Sequence, residues 1–116
     1  MPLFARPSFE IIEFDASGEV RLELHGELDL ATVRELVAAI RAAERRRPAR
    51  LVVDVAKLTF IDARGFRVLL DAARRAEREE RRFVLSNPSP QVTRILQITG
   101  GDRVVDVARR SRASKA

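Results

Sequence analysis

The chain of 116 residues has no cysteine, no tryptophan and no tyrosine, and its one histidine is His25. Without cysteine there is neither a disulfide framework nor a thiolate metal site, which suits a reducing compartment, so the expected location is the cytoplasm. No apolar run approaches the roughly 20 residues that cross a bilayer, and the opening "MPLFARPSFE" lacks the long apolar segment of a signal peptide. Neither export nor membrane insertion is expected. Motifs of catalysis and nucleotide binding are missing too: there is no P-loop, no G-x-S-x-G, no G-x-G-x-x-G, and no paired-ligand pattern such as H-x-x-x-H or D-x-D. His25, on the polar phase of its segment beside Gly26, reads as an idle surface histidine, and Asp54 with Asp62 is the one carboxylate pair to consider. The reading is therefore no enzyme, no metal and no cofactor.

Charge is abundant but unevenly placed. The formal net charge is +5, from 22 basic and 17 acidic residues, and four of the basic ones lie in the terminal "ARRSRASKA", which has no acid. The remaining 18 against 17 leave the body nearly neutral, so the basic character belongs to a tail expected to be flexible. A nucleic-acid reader would gather cations on a folded face beside aromatics or a recognition helix. The only aromatics are six phenylalanines, most of them in apolar patterns. Direct nucleic-acid binding is not expected.

The apolar periodicity describes an α/β domain. Phe9 to Phe14, the turn "DASG" and Glu19 to His25 read as a β-hairpin, with Val20, Leu22 and Leu24 on one face. In its first strand Ile12 and Phe14 are out of phase with Phe9 and Ile11, which predicts a bulge or burial on both faces. Val33, Leu36, Val37 and Ile40 give a first helix, with Asp29 as its N-cap and Pro48 closing the segment. "RLVVDV" is apolar on both faces apart from Asp54, as a central strand covered by helices would be. A second helix runs from Gly65 through Phe66, Leu69, Leu70, Ala73 and Ala76 into the charged "EREERR". "RFVLSN" gives a strand, and "PSPQVTRILQITGG" a third helix with Ser89 as cap, Pro90 in the first turn, Val92, Ile95 and Leu96 as buried stripe and Gly100 as stop. "DRVVDVA" closes as a small edge strand. The expected fold is a mixed, mostly parallel sheet of four to five strands with an N-terminal hairpin and three main helices. Residues 1–8 are an N-terminal extension, 9–107 the domain and 108–116 the basic tail.

In "LTFIDARGFRVLL", Leu58 to Leu70, the joint Asp62-Ala63-Arg64-Gly65 turns a strand into a helix. Asp62 stands where its carboxylate can accept from first-turn N–H groups and meet the positive end of the helix dipole. In a parallel sheet both acid-marked helix starts, at Asp29 and Asp62, emerge at the carboxyl edge, where ligands and partners of α/β folds usually bind.

"RLELHGELDLATVREL", "RLVVDVAKLTFIDARGFRVLL" and "NPSPQVTRILQITGGDRVV", in this order and spacing, resemble the STAS domain family, in particular the bacterial anti-sigma factor antagonists, from about Phe9 to Val105. The resemblance implies a binding protein that engages an anti-sigma factor, often a serine kinase of the histidine-kinase-like ATPase superfamily, and thereby regulates transcription by a sigma factor. It also implies a partner-binding set of Asp29, Thr32, Asp62, Ala63, Arg64, Gly65 and Arg67. The family's switch is the first serine of Asp-Ser-Ser-Gly. Here Asp62 matches the acid, Ala63 the phosphorylated serine, Arg64 the second serine and Gly65 the glycine, so the phosphoacceptor is missing. Gly101 replaces the leucine usual after Gly100, which puts docking of the C-terminal segment in question. Other hydroxyls remain as phosphosite alternatives: Thr59, expected buried; Ser89, explained as a cap; and Ser111 and Ser114 in the tail. The competing readings are an adaptor subunit of a signalling assembly or of a lipid-transport ATPase, and, without a phosphate loop to support it, a ligand or nucleotide site at the sheet edge.

Overall fold

The computed structural model describes residues 4–6 and 8–109, with side chains from residue 8 onward; most of the expected basic tail lies outside the described residues. The elements in chain order are β1 (Phe4–Arg6), β2 (Phe9–Ala16), β3 (Glu19–Leu28), α1 (Val33–Arg45), β4 (Arg50–Ile61), α2 (Ala63–Arg78), β5 (Arg82–Ser86), α3 (Pro90–Thr99), a 3-10 turn at Gly101–Arg103 and β6 (Asp106–Ala108). One six-stranded sheet holds all strands side by side in chain order. Pairing is antiparallel from β1 to β3 and parallel from β3 to β6. The four to five expected strands are β2 to β6, and β1, within the first eight residues, adds a three-residue edge. The hairpin between β2 and β3 turns on Ser17 (φ 51°) and Gly18 (φ 81°), both left-handed as a two-residue primed turn requires.

Right-handed crossovers between strands laid in chain order put all three helices on one face of the sheet. A single core accordingly joins Leu36 and Ile40 of α1, Leu69 and Ala73 of α2 and Leu96 of α3 to Leu22, Val53 and Leu85 of the sheet. This corrects the expectation that β4 is covered by helices on both sides. Val52 and Val84 are buried but stand outside that core, on the face opposite the helices, in one row with Arg21. The bulge expected in β2 is likewise absent: β2 and β3 pair without interruption, Ile12 is half-buried and Phe14 exposed on the helix-free face. The irregularity lies in the β3–β4 pairing, at Glu23/His25 and Gly26/Glu27.

Two expected stripe residues also face outward: Val37 of α1 and Ile95 of α3 are each 41% exposed. The C-terminal segment does dock. A Cβ on Gly101 would come within 2.6 Å of Leu70 Cδ2 and 3.0 Å of Leu96 Cδ2, so the backbone itself occupies that contact, and Val105 joins the core. Arg109 then ties the end of the described chain to α3, donating to Pro88 O at 3.1 Å and Thr93 Oγ1 at 2.8 Å. Among the described residues no helix is long and apolar enough to cross a membrane.

At the rim of the helix-covered face, Arg46 donates to Glu13 at 2.8 and 2.9 Å and to Asp15 at 2.6 Å. Hydrogen bonding from Arg46, helped by its charge and opposed by burial, holds the Glu13 carboxyl below its ordinary pKa. The unfolded chain therefore binds the proton first as pH falls, so this contact stabilises the fold above pH 4.5 and stops doing so as pH drops through the lowered value. Arg46→Ala is expected to cost no more than about 1 kcal/mol at neutral pH, because solvent screens the pair, and the cost should shrink on acidification. Urea titrations at pH 7 and pH 3 measure this; a cost that does not change with pH contradicts it.

Candidate functional site

The joint from β4 to α2 is fixed by three local constraints. Asp62 has extended backbone, and its Oδ1 accepts from Gly65 N–H at 3.0 Å, the expected N-cap. Asp62 N–H donates to Leu28 O at 3.1 Å, which stitches the start of α2 to the end of β3. Gly65 is buried against the same residue: a Cβ there would lie 2.7 Å from Leu28 Cγ and Cδ2 and 3.2 Å from Ile61 Cγ1. Glycine is needed here for space. The two acid-marked helix starts are thus adjacent, as the parallel order of β3 and β4 requires.

On the β3 side the reading of Asp29 as a helix cap is corrected. Helix α1 starts at Val33 with Thr32 in the cap position, and no side chain caps it. Asp29 works in the preceding turn, where Oδ1 accepts from Ala31 N–H at 2.9 Å and its carbonyl accepts from Thr32 N–H at 3.1 Å and Val33 N–H at 2.8 Å. Thr32 is 1% exposed. Its hydroxyl donates to Glu27 O at 2.9 Å and accepts from Asp29 N–H at 3.0 Å, so it fastens the loop from beneath and offers no surface to a partner. Gly65 is equally inaccessible. Of the seven expected residues, Ala63, Arg64 and Arg67 are exposed and Asp29 and Asp62 half-buried.

Asp54 and Asp62 do not act as a carboxylate pair. Asp54 is 1% exposed on the helix-free face, with Oδ2 2.5 Å from Arg21 Nη2 and Oδ1 accepting from Ala56 N–H at 2.9 Å and Asn87 Nδ2 at 3.5 Å. Asp62 is committed to the cap. His25 contacts the Glu23 carboxylate at 2.8 Å, two residues away on one strand face. Among the described residues no group of three or more His, Cys, Asp or Glu side chains is placed to hold a metal ion.

What periodicity missed is the apolar surface beside the joint. Leu30, just after Asp29, is 62% exposed, and Phe60, two residues before Asp62, is 52% exposed. Thr59, expected buried, is exposed next to Phe60. The cause is the length of β4: β5 pairs only with Arg50 to Asp54, so the stretch from Val55 to Ile61 has a strand neighbour on one side alone. A cavity of about 260 Å³ lies between that stretch and α3, lined by Leu58, Leu69, Val92 and Ile95. The signal was present in the sequence as Phe60 alternating in phase with Leu58 and out of phase with Ile61. Its meaning depends on where β5 stops.

A family model described as "Mlab, STAS domain" matches residues 12–106. An anti-sigma F factor antagonist of Lysinibacillus sphaericus is 32% identical over 82 residues, 70% of each chain. Among solved structures, an anti-sigma factor antagonist from Mycobacterium paratuberculosis superposes with a TM-score of 0.78 at 23% identity, covering 96% of this chain and 94% of that one. The Bacillus cell fate determinant SpoIIAA in its phosphorylated form does so with a TM-score of 0.73 at 25% identity, covering 93% and 96%.

Proposed function

The chain belongs to the STAS domain family, and on that premise we propose that it is an anti-sigma factor antagonist whose partner-binding surface is the exposed turn Ala63–Arg64 with the loop from Asp29 to Ala31 beside it. The observation that carries this reading is the joint itself: Asp62 and Gly65 pin the first turn of α2 against Leu28, so that Ala63 and Arg64 are presented on a rigid base. A rigid, exposed helix start suits recognition, because little conformational freedom is lost on binding. The partner in this reading is an anti-sigma factor, a serine kinase of the histidine-kinase-like ATPase superfamily, and the consequence is release of a sigma factor.

Ala63 stands at the family's phosphoacceptor position, and a methyl group has no oxygen to receive a phosphoryl group. In a serine-bearing relative, phosphate would bring about −1.5 to −2 charges to the partner surface. The antagonist proposed here lacks that off state at this position, so its activity follows its amount. The cognate anti-sigma factor with ATP is expected to leave the wild-type protein unmodified while forming a stable complex with it. Ala63→Ser is expected to accept one phosphate there and then to bind roughly tenfold or more weakly, a change of about 1.4 kcal/mol. Mass spectrometry and titration calorimetry read both. Transfer to Thr59, the exposed hydroxyl closest in sequence, or absence of any complex, would overturn the proposal.

Ala63 suits a second reading equally, since an adaptor subunit of a signalling assembly or of a lipid-transport ATPase needs no phosphate switch. Neighbouring genes separate the two: a kinase and a sigma factor favour antagonism, a permease and an ATPase favour the adaptor.

A further inference from the structure

Between α1 and α2, next to the joint, runs an open groove of about 390 Å³. Its apolar lining is Val33 and Val37, one helical turn apart on α1, and Val68 of α2. Val37 is 41% exposed, an unusual place for an apolar side chain at a stripe position. Around this lining stand Arg34, Arg64 and Arg67, none of which makes an ion pair among the described residues, whereas the single acid of the groove, Asp71, faces Arg74 at 3.8 Å. Several arginines elsewhere are matched, as Arg46 with Glu13 and Asp15, Arg75 with Glu44, and Arg82 with Asp106.

We propose that this groove is the docking site for an amphipathic helix of the partner protein, one whose apolar stripe is flanked by carboxylates. Three valines in a shallow trough match an apolar stripe of the i, i+3, i+7 kind. The groove lies between two helices whose own backbone groups are bonded internally, so it offers no row of main-chain donors and acceptors to an extended strand. A helix brings its backbone already satisfied. Covering Arg34, Arg64 and Arg67 with a neutral surface would strip their hydration without replacement, while carboxylates on both flanks supply charge-assisted hydrogen bonds and speed encounter. Arg64 directly follows Ala63, so the groove continues the surface assigned above; the inference deepens the antagonist reading and rests on it only for which protein carries the helix.

The test titrates the isotope-labelled full chain with two synthetic helical peptides of equal length and identical leucine stripe, one flanked by glutamates and the other by lysines. The glutamate peptide is expected to shift the amide resonances of Val33, Val37, Arg64 and Val68, and the lysine peptide to leave them unmoved. Arg64→Glu with Arg67→Glu, both at exposed positions, should weaken the first peptide at least tenfold and admit the second. Arg64→Gln with Arg67→Gln should weaken the first without admitting the second. Equal response to both peptides, shifts elsewhere or no response would overturn the proposal. So would charge-sensitive self-association in sedimentation, or binding to phosphatidylglycerol vesicles without a peptide response. The wild-type and charge-reversed proteins are also titrated with the anti-sigma factors of the native host. A complex unaffected by the reversal overturns the groove and leaves antagonism standing; no complex with either protein overturns antagonism, and the peptide result then judges the groove alone.

Discussion

Gly26→Ala is expected to destabilise the protein by about 3 kcal/mol or more, from left-handed strain and overpacking together. Gly26 has φ 98°, a region that side-chain-bearing residues rarely adopt, and a Cβ there would sit 2.0 Å from Ser8 O. That carbonyl is backbone and is already engaged, accepting from Glu27 N–H at 2.7 Å, so relief would break a hydrogen bond as well as move the chain. The residue sits at the irregularity in the β3–β4 pairing, beyond which Leu28 comes into register with Ile61. A substitution here should therefore loosen the stitch from Asp62 N–H to Leu28 O and weaken the partner binding proposed above along with the fold. Urea denaturation gives the first quantity and calorimetry the second. A stability loss under about 1 kcal/mol would show that the bulge tolerates a side chain and that this account of it is wrong.

Arg21→Met should be almost as damaging, by about 3 kcal/mol, for an electrostatic reason. Asp54 is 1% exposed, and removing Arg21 leaves its charge in a poorly solvated row with, among the described residues, Ala56 N–H and the longer contact from Asn87. Breaking a buried pair on one side typically costs about 3–5 kcal/mol, whereas replacing both members by apolar residues of similar volume is often close to neutral. The lower figure applies because the Arg21 side chain is 29% exposed, so water reaches the pair from one side. The double variant Arg21→Met with Asp54→Leu should accordingly recover most of the loss. If it is as unstable as the single variant, the pair stabilises through its own attraction rather than by mutual neutralisation.

The features that the sequence made legible are those whose causes lie within a few residues. Asp62 and Ser89 cap their helices through side-chain oxygens three residues from the N–H they accept, and Gly100 ends α3 in the left-handed conformation with φ 77°. The hairpin turn, the alternation of Val20, Leu22 and Leu24, and the parallel order after the hairpin follow in the same way from local chemistry and connection rules. The errors share a different cause. Asp29 has the residue type of a cap, yet the Asp29–Thr32 turn places it one turn too early, and Thr32, read as a partner contact, folds inward to hold Glu27. Val37 and Ile95 lie on helical stripes but face outward, because the width of a stripe that is buried depends on what packs against it.

By itself, then, the sequence determined that the chain is an α/β domain with a hairpin and three helices, that a capped joint stands at Asp62, and that residue 63 carries no hydroxyl. These are consequences of side-chain chemistry, spacing and chain connectivity. Only the tertiary structure decided that the helices share one face, that Asp54 is buried with Arg21, that Phe60 and Thr59 stand clear because β5 ends early, and that Arg34, Arg64 and Arg67 surround one apolar groove. Each of those depends on which distant segments meet, and burial and charge compensation are properties of the meeting rather than of either segment alone.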